Sequence, residues 1–236
     1  MAFKIRWIGQ GGFMLTLGDK TLCIDPYLSD SVENNGKFKR MVPVPIQPSE
    51  LKADMILCTH DHIDHLDEQT LRHTDFANTV YAGPDSCAAH FAKMGIEASQ
   101  ISKLNRNDSL MLGDALIHAA FAKHSPDSIG VVIRHENVSV YLTGDSEFDT
   151  QLLDAKSLNP DILVICINGK LGNMDFRQAA DVAKGLSPKT AVPCHYGMFA
   201  ENTEDPQNFR EALEGTGVGF FELEFDKECD IREIAS

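Results

Sequence analysis

The sequence has no long apolar run and no paired cysteine motif, and each absence excludes a class of protein. No stretch approaches the roughly 18 apolar residues that mark a membrane-spanning helix. The N-terminal segment lacks the apolar core and the small-residue cleavage site of a signal peptide. The six cysteines are scattered without a C-x-x-C pair, so their even number does not imply a disulfide framework. We therefore expect a cytoplasmic protein with reduced thiols.

Positive charge is also scarce in this chain. It has 21 Lys and Arg against 35 Asp and Glu, which gives a formal net charge of −14. Because nucleic acids and anionic membranes are bound through basic surfaces, we expect neither as a partner. The hydrophobic content of 43% is typical of a globular protein. No low-complexity segment or linker divides the chain, and we predict one domain over residues 1–236.

The order of the predicted elements indicates two sheets packed together with helices outside. Strand-rich stretches are followed by an alternation of strands and helices, and this succession occurs twice. The predicted strands are Phe3–Ile8, Phe13–Leu17, Thr21–Ile24, Met55–Cys58, Val80–Ala82, Ile101–Leu104, Ala115–Ala122, Gly130–Arg134, Val138–Leu142, Ile162–Ile167, Thr190–Cys194 and Val218–Phe225. The predicted helices are Asp67–Arg72, Asp85–Met94, Asp149–Lys156, Phe176–Gly185 and Pro206–Leu213.

The segment from Leu28 to Pro48 has no apolar periodicity and is interrupted by turn-forming Asn and Pro residues. A loop of this length inside a compact domain is more often functional than idle. It carries three positive charges, Lys37, Lys39 and Arg40, in a strongly acidic chain. They could anchor a phosphate or carboxylate group over an active site, or they could simply be solvated. The same loop could also provide the contact in a homo-oligomer.

The densest group of chemically active side chains is the segment His-Asp-His-Ile-Asp-His at residues 60–65. Imidazole nitrogens and carboxylate oxygens suit Zn²⁺, Mn²⁺ or Fe²⁺, and the lack of cysteine in the segment argues against a structural zinc. On extended backbone, His60 and His62 point the same way and can bind one ion. Asp64 and His65, turned onward by the loop, can reach a second ion. The segment therefore predicts a metal centre.

This segment alone leaves both ions short of ligands, so other parts of the chain must supply more. Three candidates, His124, Asp145 and His195, each stand at the end of a predicted strand. A carboxylate between two cations is a natural bridge, which makes Asp145 the expected shared ligand.

The segment 60–65, the Thr-Gly-Asp145 ending and the Pro-Cys-His195-Tyr ending together resemble the metallo-β-lactamase superfamily over essentially the whole chain. The resemblance implies an α/β fold, the αββα sandwich of the metallo-β-lactamase type, with two packed mixed sheets flanked by helices. It also implies two divalent metal ions, zinc or manganese with iron as an alternative. The first ion would be held by His60, His62 and His124, the second by Asp64, His65 and His195, with Asp145 as the bridge. The flavo-diiron relatives carry a glutamate at the position of His62. This chain has none there, so we expect no redox role.

A further set of motifs resembles the L-ascorbate-6-phosphate lactonase group, which is called UlaG-like. The motifs are Asp25-Pro-Tyr-Leu-Ser-Asp-Ser-Val, Lys39-Arg-Met-Val-Pro-Val-Pro-Ile, Ile167-Asn-Gly-Lys, Gly172-Asn-Met, His195-Tyr-Gly-Met-Phe and Asn202-Thr-Glu-Asp-Pro. This resemblance implies a small anionic molecule as the substrate.

Five other residues are candidates for supporting roles. Asp25 closes the third predicted strand and could orient a ligand histidine, or it could be a simple turn residue before proline. Asn168, Lys170 and Asn173 follow a buried strand, within reach of a cleft, and at least one could contact substrate. Tyr196 adjoins a predicted ligand and could donate a hydrogen bond to a developing oxyanion, or pack in the core.

Together these features predict a metal-dependent hydrolase that opens a lactone or related ester of a small sugar-acid metabolite, which could be phosphorylated. Two ions would lower the pKa of a bridging water toward about 7, which makes hydroxide available at neutral pH. Asp64 would act as the catalytic residue by orienting the nucleophile and moving its proton. Two alternatives remain open: hydrolysis of a small phosphodiester by the same centre, and a non-catalytic protein that binds a metabolite through its metal.

Overall fold

The computed structural model describes residues 2–235, and their strands form two sheets of seven strands each. In chain order the strands are β1 (Phe3–Gly9), β2 (Gly12–Leu17), β3 (Lys20–Ile24), β4 (Met55–Leu57), β5 (Val80–Gly83), β6 (Ile101–Lys103), β7 (Ser109–Leu112), β8 (Ala115–Phe121), β9 (Ile129–His135), β10 (Val138–Leu142), β11 (Ile162–Cys166), β12 (Thr190–Cys194), β13 (Gly219–Phe220) and β14 (Glu228–Asp230). The first sheet has the order β14-β1-β2-β3-β4-β5-β6, and the second has the order β13-β12-β11-β10-β9-β8-β7.

Both sheets are mixed. In the first sheet, β14, β1, β2 and β3 pair antiparallel, and β3 to β6 pair parallel. In the second sheet, β7 to β10 pair antiparallel, and β10 to β13 pair parallel. The parallel register sets Ile24 beside Leu57 in one sheet and Cys166 beside Cys194 in the other. Neighbouring parallel strands therefore end level with each other.

The helices are mostly short. They are α1 (Ser31–Asn34), α2 (Glu68–Leu71), α3 (Asp85–Lys93), α4 (Phe176–Leu186), α5 (Pro206–Ala212) and α6 (Ile231–Ile234), with 3-10 helices at Pro48–Glu50, Ala98–Gln100 and Thr150–Leu158. The start of α4 is fixed by a capping box, in which Asp175 accepts from the backbone of Gln178 and the side chain of Gln178 accepts from the backbone of Asp175. In the described part of the chain, no helix has the length and apolar character needed to cross a bilayer.

The main core lies between the two sheets. Ile5 and Leu15 of the first sheet belong to the same buried apolar cluster as Ile117 and Val131 of the second. The predicted inner face of α4 is buried in this cluster as well; it consists of Ala179, Ala180, Val182 and Ala183. Burial of each large apolar side chain stabilises the fold by about 1.5–3 kcal/mol relative to exposure. The predicted sandwich of two mixed sheets flanked by helices is therefore confirmed.

The predicted helix at Asp149–Lys156 is a 3-10 helix over Thr150–Leu158. Its buried residues Leu152 and Ala155 are three positions apart, a spacing that fits one face of either kind of helix. The spacing therefore predicted a helix without deciding its type.

The predicted closing strand Val218–Phe225 is also wrong over most of its length, because only Gly219–Phe220 pairs with β12. The chain then leaves the second sheet, and β14 pairs with β1 in the first sheet. This crossing depends on pairing between distant segments, which apolar alternation does not reveal. Six short elements were not predicted: β7, β14, α1, α6 and the 3-10 helices at Pro48–Glu50 and Ala98–Gln100.

Candidate metal centre

The side chains of the candidate centre follow strands of both sheets. Asp25 and His60 follow the parallel strands β3 and β4 of the first sheet. Asp145 and His195 follow the parallel strands β10 and β12 of the second sheet, and His124 follows β8. Ligands of α/β proteins bind at the carboxyl ends of parallel strands, where the connections leave a crevice. The site forms where these ends of the two sheets meet.

Three non-glycine residues of the site have left-handed backbone conformations. The φ angles are 52° at Gln10, 46° at Asp25 and 61° at His195. Such conformations cost about 1–3 kcal/mol each and concentrate at functional sites. Each residue lies directly after a strand or in the tight turn between two strands, so the sharp change of direction sets where its side chain points.

The first cluster consists of His60, His62 and His124, whose ligand atoms lie within 4.8 Å of one another. Nδ1 of His62 is 2.9 Å from Nε2 of His124. The ring centroid of His60 is 4.6 Å from that of His62 and 4.8 Å from that of His124. The loop that carries the motif is held by a bond from the backbone N–H of His65 to the carbonyl of His62, of 2.9 Å.

The second cluster consists of Asp64, His65 and His195, again within 4.8 Å. The Nε2 atoms of His65 and His195 are 3.4 Å apart, and Oδ2 of Asp64 is 3.7 Å from Nε2 of His195. Asp145 lies between the clusters: its Oδ2 is 3.1 Å from His195 and 3.7 Å from His124. Its Oδ1 is 3.3 Å from Nε2 of His65. The structure thus brings together all seven predicted ligands.

Hydrogen bonds on the far side of the rings fix which nitrogen faces the centre. Nδ1 of His65 donates to Oδ2 of Asp25 at 2.7 Å, which turns Nε2 toward the centre. The hydroxyl of Thr59 donates to the same Asp25 oxygen at 2.6 Å, so it can accept from Nδ1 of His60 at 3.1 Å. Asp25 therefore orients His65 directly and His60 through Thr59, and both are predicted ligands.

Two glycines allow the rings to sit this close to the backbone. Nδ1 of His124 donates to the carbonyl of Gly172 at 2.9 Å, which turns its Nε2 inward. Gly172 has φ +87°, and a Cβ there would lie 3.0 Å from Nδ1 of His124. A Cβ on Gly11 would lie 2.6 Å from Cε1 of His65. Larger residues at either position would displace a ligand ring.

Two of the predicted ligand atoms that face the centre are buried and have no hydrogen-bond partner within the described residues. Neither Nε2 of His60 nor Oδ1 of Asp145 forms a hydrogen bond with any residue in the range 2–235. A buried polar atom left unpaired costs about 1–3 kcal/mol, and buried charges in proteins are paired or coordinate metals. Imidazole nitrogen and carboxylate oxygen are also the donors that Zn²⁺, Mn²⁺ and Fe²⁺ prefer. The residues present therefore fit a metal centre.

The electrostatics agree with this interpretation. Burial, helped by the neighbouring His65, lowers the pKa of His60 well below its usual range. Burial would raise the pKa of Asp145, but the imidazoles of His195 and His65 hold it well below its usual range. Burial would lower the pKa of His65, but the carboxylates of Asp145 and Asp25 raise it well above its usual range. His60 and Asp145 are therefore in the forms that bind a cation, whereas a cation must displace a proton from His65.

A cavity of about 570 Å³ lies directly over the two clusters. The loop containing α1 supplies one wall, through Val32, Asn35, Lys37 and Phe38. The rest of the lining includes Asp61, His62, Ile63, Asp64, His124, Asp145, Leu171, Asn173, His195, Phe199 and Asn202. Among these described residues, Lys37 carries the one ammonium group. The long loop of the sequence therefore covers the candidate site.

Two of the three positive charges of this loop are not among the residues that line the cavity. Arg40 points into the protein, where its Nη2 donates to the carbonyls of Tyr27 at 2.7 Å and Ser29 at 3.0 Å. Its guanidinium also stacks on the Tyr27 ring at 4.3 Å. Lys39 is exposed elsewhere on the loop. The expectation that Arg40 anchors substrate is corrected, because backbone carbonyls already occupy its guanidinium, and Lys39 lies outside the lining; substrate binding by Lys37 stays a prediction.

Of the three predicted substrate residues that follow β11, one lines the cavity and two do not. Asn173 lines the cavity and donates to Oδ2 of Asp145 at 2.9 Å. Asn168 is buried beneath the cavity and donates to Asn202 at 2.7 Å, while Lys170 reaches the carbonyl of Glu201 at 3.2 Å. These two are not part of the lining.

Tyr196 is placed away from the cavity as well. Its ring packs 4.9 Å from that of Trp7, and its hydroxyl lies 3.5 Å from a carboxylate oxygen of Glu222. The suggested role as an oxyanion donor is therefore corrected to packing. The left-handed backbone of His195 turns the following residue away from the centre.

The sequence analysis missed Gln10 and Thr59. Both are buried, and Gln10 donates to Oδ2 of Asp64 at 2.9 Å. A signal for Gln10 was its position in the tight Gln-Gly-Gly turn between the first two strands. A signal for Thr59 was its position directly before the first histidine of the motif.

The strand order and the clustered ligands together define a class, the metal-dependent hydrolases of the β-lactamase type. A family model described as "Beta-lactamase superfamily domain" matches residues 20–196, a range that contains every predicted ligand. A protein of Oenococcus oeni named UPF0173 metal-dependent hydrolase is 31% identical over 247 residues, covering 96% of this chain and 99% of that protein. A Pyrobaculum islandicum protein of the same name is 30% identical, covering 89% of this chain and 92% of that protein. The chain therefore belongs to the metallo-β-lactamase superfamily, within its metal-dependent hydrolases.

A comparison with solved structures supports the same fold. The structure of Igni18, described as a metallo hydrolase from Ignicoccus hospitalis, superimposes with a TM-score of 0.80 at 20% identity. The match covers 97% of this chain and 98% of that one. The likeness therefore extends over both sheets.

Proposed function

We propose that this protein hydrolyses a lactone or a related ester of a small sugar-acid metabolite that carries one anionic group. One arrangement carries the proposal: two ligand clusters that share Asp145 form the floor of a cavity whose wall holds Lys37. The floor suits polarisation of a carbonyl group, and the ammonium group suits a phosphate or carboxylate. The resemblance to the L-ascorbate-6-phosphate lactonase group supports the same substrate class.

Bound divalent ions would lower the pKa of a bound water to about 7. They would also act as a Lewis acid for the carbonyl oxygen. The residues of the chain contribute position and proton transfer. Asp64 belongs to the second ligand cluster and lines the cavity beside His195. Its carboxylate can therefore orient the attacking water and accept its proton.

The cavity wall determines how the substrate lies. Lys37, in the loop after α1, lines the cavity together with the apolar side chains of Ile63, Leu171 and Phe199. An anionic group bound at Lys37 would fix one end of the substrate, and its binding energy would position the scissile bond over the metal ligands. A small phosphodiester could use the same donors, which makes it the main competing substrate class.

The test is hydrolysis by protein that has been stripped of metal and then reconstituted separately with Mn²⁺ and with Zn²⁺. L-ascorbate 6-phosphate, a neutral lactone and bis-p-nitrophenyl phosphate are compared, with Asp145→Ala as the inactive control. We expect metal-dependent turnover of the lactones. Faster turnover of the phosphodiester would replace the lactonase proposal. Metal binding without turnover of any of the three would favour a metabolite-binding role.

A further inference from the structure

Gln10 lies against the second ligand cluster. Its side chain is fully buried, and its Nε2 is 2.9 Å from Oδ2 of Asp64 and 3.1 Å from Nε2 of His195. Its Oε1 is buried and has no hydrogen-bond partner among residues 2–235. One end of this amide thus contacts two predicted ligands of one ion, and the other end contacts no polar group.

The backbone of Gln10 is fixed in place. Its carbonyl accepts from the indole N–H of Trp7 at 3.0 Å and from the backbone N–H of His195 at 3.2 Å. The backbone of Gln10 therefore stays beside the second cluster. The torsion about the last side-chain bond of glutamine is soft and roughly two-fold, so the amide can exchange its two ends in place.

The position of the amide matches the geometry of a coordination sphere. Ligand atoms that bind one ion at 2.0–2.2 Å lie about 2.8–3.6 Å from each other, for octahedral to tetrahedral arrangements. The inner end of the Gln10 amide has this spacing to both Asp64 and His195. Without a cation, an N–H group is favoured there because it can donate to the carboxylate. With a cation between these ligands, an N–H group would point its positive end at the ion, and the oxygen is favoured.

We propose that the side-chain amide of Gln10 flips when the second cluster binds a cation. Its oxygen and nitrogen then exchange places, and Oε1 becomes a neutral oxygen ligand of that ion. This inference rests on the proposed dinuclear centre. The second ion would then have Asp64, His65, His195, the shared Asp145 and Gln10 as protein ligands. Carbonyl oxygen suits Mn²⁺ better than it suits soft metals, so Gln10 would make the second cluster more favourable for Mn²⁺.

Two substitutions separate a ligand role from a hydrogen-bond role. Gln10→Met keeps the length of the side chain but removes both the oxygen and the N–H group. Gln10→Glu keeps an oxygen and removes the N–H group. Gln151→Met, on an exposed glutamine of the 3-10 helix, is the matched control. Metal stoichiometry and the two dissociation constants are measured by equilibrium dialysis, and the visible spectrum of the Co²⁺-loaded protein reports the coordination number.

We expect Gln10→Met to weaken the binding of the second ion by about tenfold or more and to leave the affinity for the first ion unchanged. The coordination number of the second ion should fall. Gln10→Glu should retain both ions, and Gln151→Met should behave as wild type. Loss of the second ion in both Gln10 variants would overturn the inference, because it would mean that the N–H group of Gln10 acts only as a hydrogen-bond donor that positions Asp64. Retention of the second ion in Gln10→Met, or its loss in Gln10→Glu alone, would also overturn the inference.

Measurements on the wild-type protein keep the inference testable if a variant does not fold. A structure of the metal-loaded wild type should place Oε1 of Gln10 within about 2.4 Å of the second ion. An amide more than about 3 Å from that ion would overturn the inference. A wild type that binds one ion, at the first cluster, would also overturn it but would leave the hydrolase proposal standing. A wild type that binds no ion would contradict both.

Discussion

Nδ1 of His65 lies 2.7 Å from Oδ2 of Asp25, and both side chains are buried. The other Asp25 oxygen accepts from the backbone N–H of Thr59 at 2.7 Å. One carboxylate at the end of β3 thus holds both the start and the end of the histidine motif that follows β4. Carboxylates in this position orient a ligand imidazole and increase its basicity.

The first prediction concerns this carboxylate. Asp25→Asn replaces one acceptor oxygen by a donor, so it cannot accept from both Thr59 and His65 as Asp25 does. We expect metal affinity to fall by about 10–100-fold, measured by competition with a chelator. Asp54→Asn is the control, because Asp54 also accepts from a backbone N–H, that of Thr21, away from the site. Equal affinities for the two variants would show that Asp25 does not support the ligands.

The second prediction concerns the shared ligand. Asp145→Ala removes the carboxylate between His195 and His65 and should abolish turnover and reduce metal content. Its absence would also remove one of the carboxylates that stabilise the charged form of the buried His65, so the metal-free variant should be less stable than the metal-free wild type. Metal analysis and thermal unfolding measure both effects, and Asp154→Ala, on an exposed residue, is the control. Unchanged turnover would remove Asp145 from the centre.

The third prediction concerns removal of metal. A ligand that binds only the folded state stabilises it by about 2.7 kcal/mol when its concentration is 100 times its Kd. For a chain of this length that corresponds to roughly 5–10 °C in Tm. We therefore expect Tm to fall by this amount after chelation and to recover on addition of Zn²⁺ or Mn²⁺. In Asp145→Ala the added metal should have a much smaller effect.

The fourth prediction concerns pH. Burial lowers the pKa values of His60 and His62, so protons compete little for the first cluster. The pKa of His65 is raised well above its usual range, so an ion at the second cluster must displace a proton. Affinity at the second cluster should therefore rise with pH, by up to about tenfold per unit between about pH 6 and 8, and affinity at the first should change little. Isothermal titration at several pH values would detect the difference, and equal slopes would contradict the assignment.

The fifth prediction concerns the cavity wall. Lys37→Met should raise KM for phosphorylated lactones by about fivefold, because an exposed ammonium group contributes about 1 kcal/mol. KM for neutral lactones should not change. Lys39→Met, which alters the same loop outside the cavity, should leave both values as in wild type. An equal effect of Lys37→Met on neutral substrates would exclude Lys37 as the anion anchor.

Local sequence patterns predicted much of the fold. Apolar runs located most strands of both sheets, and the inner face of α4 followed from helical spacing. The pattern failed where an element was short, as in β7 and β14, because two to four residues give too few alternations. At Thr150–Leu158 the pattern predicted a helix, and the structure identifies it as a 3-10 helix, because a spacing of three fits both kinds.

The sequence by itself determined the chemistry of the centre, because imidazoles and carboxylates packed into residues 60–65 have few other uses. It also placed His124, Asp145 and His195 at strand ends, where the structure brings them together; their binding of metal stays a prediction. The tertiary structure alone decided which neighbours serve the site. Lys37 faces the cavity while Arg40 turns inward, and Gln10 reaches Asp64 while Tyr196 turns away. Such directions depend on backbone turns and on partners from distant segments, and no local pattern encodes them.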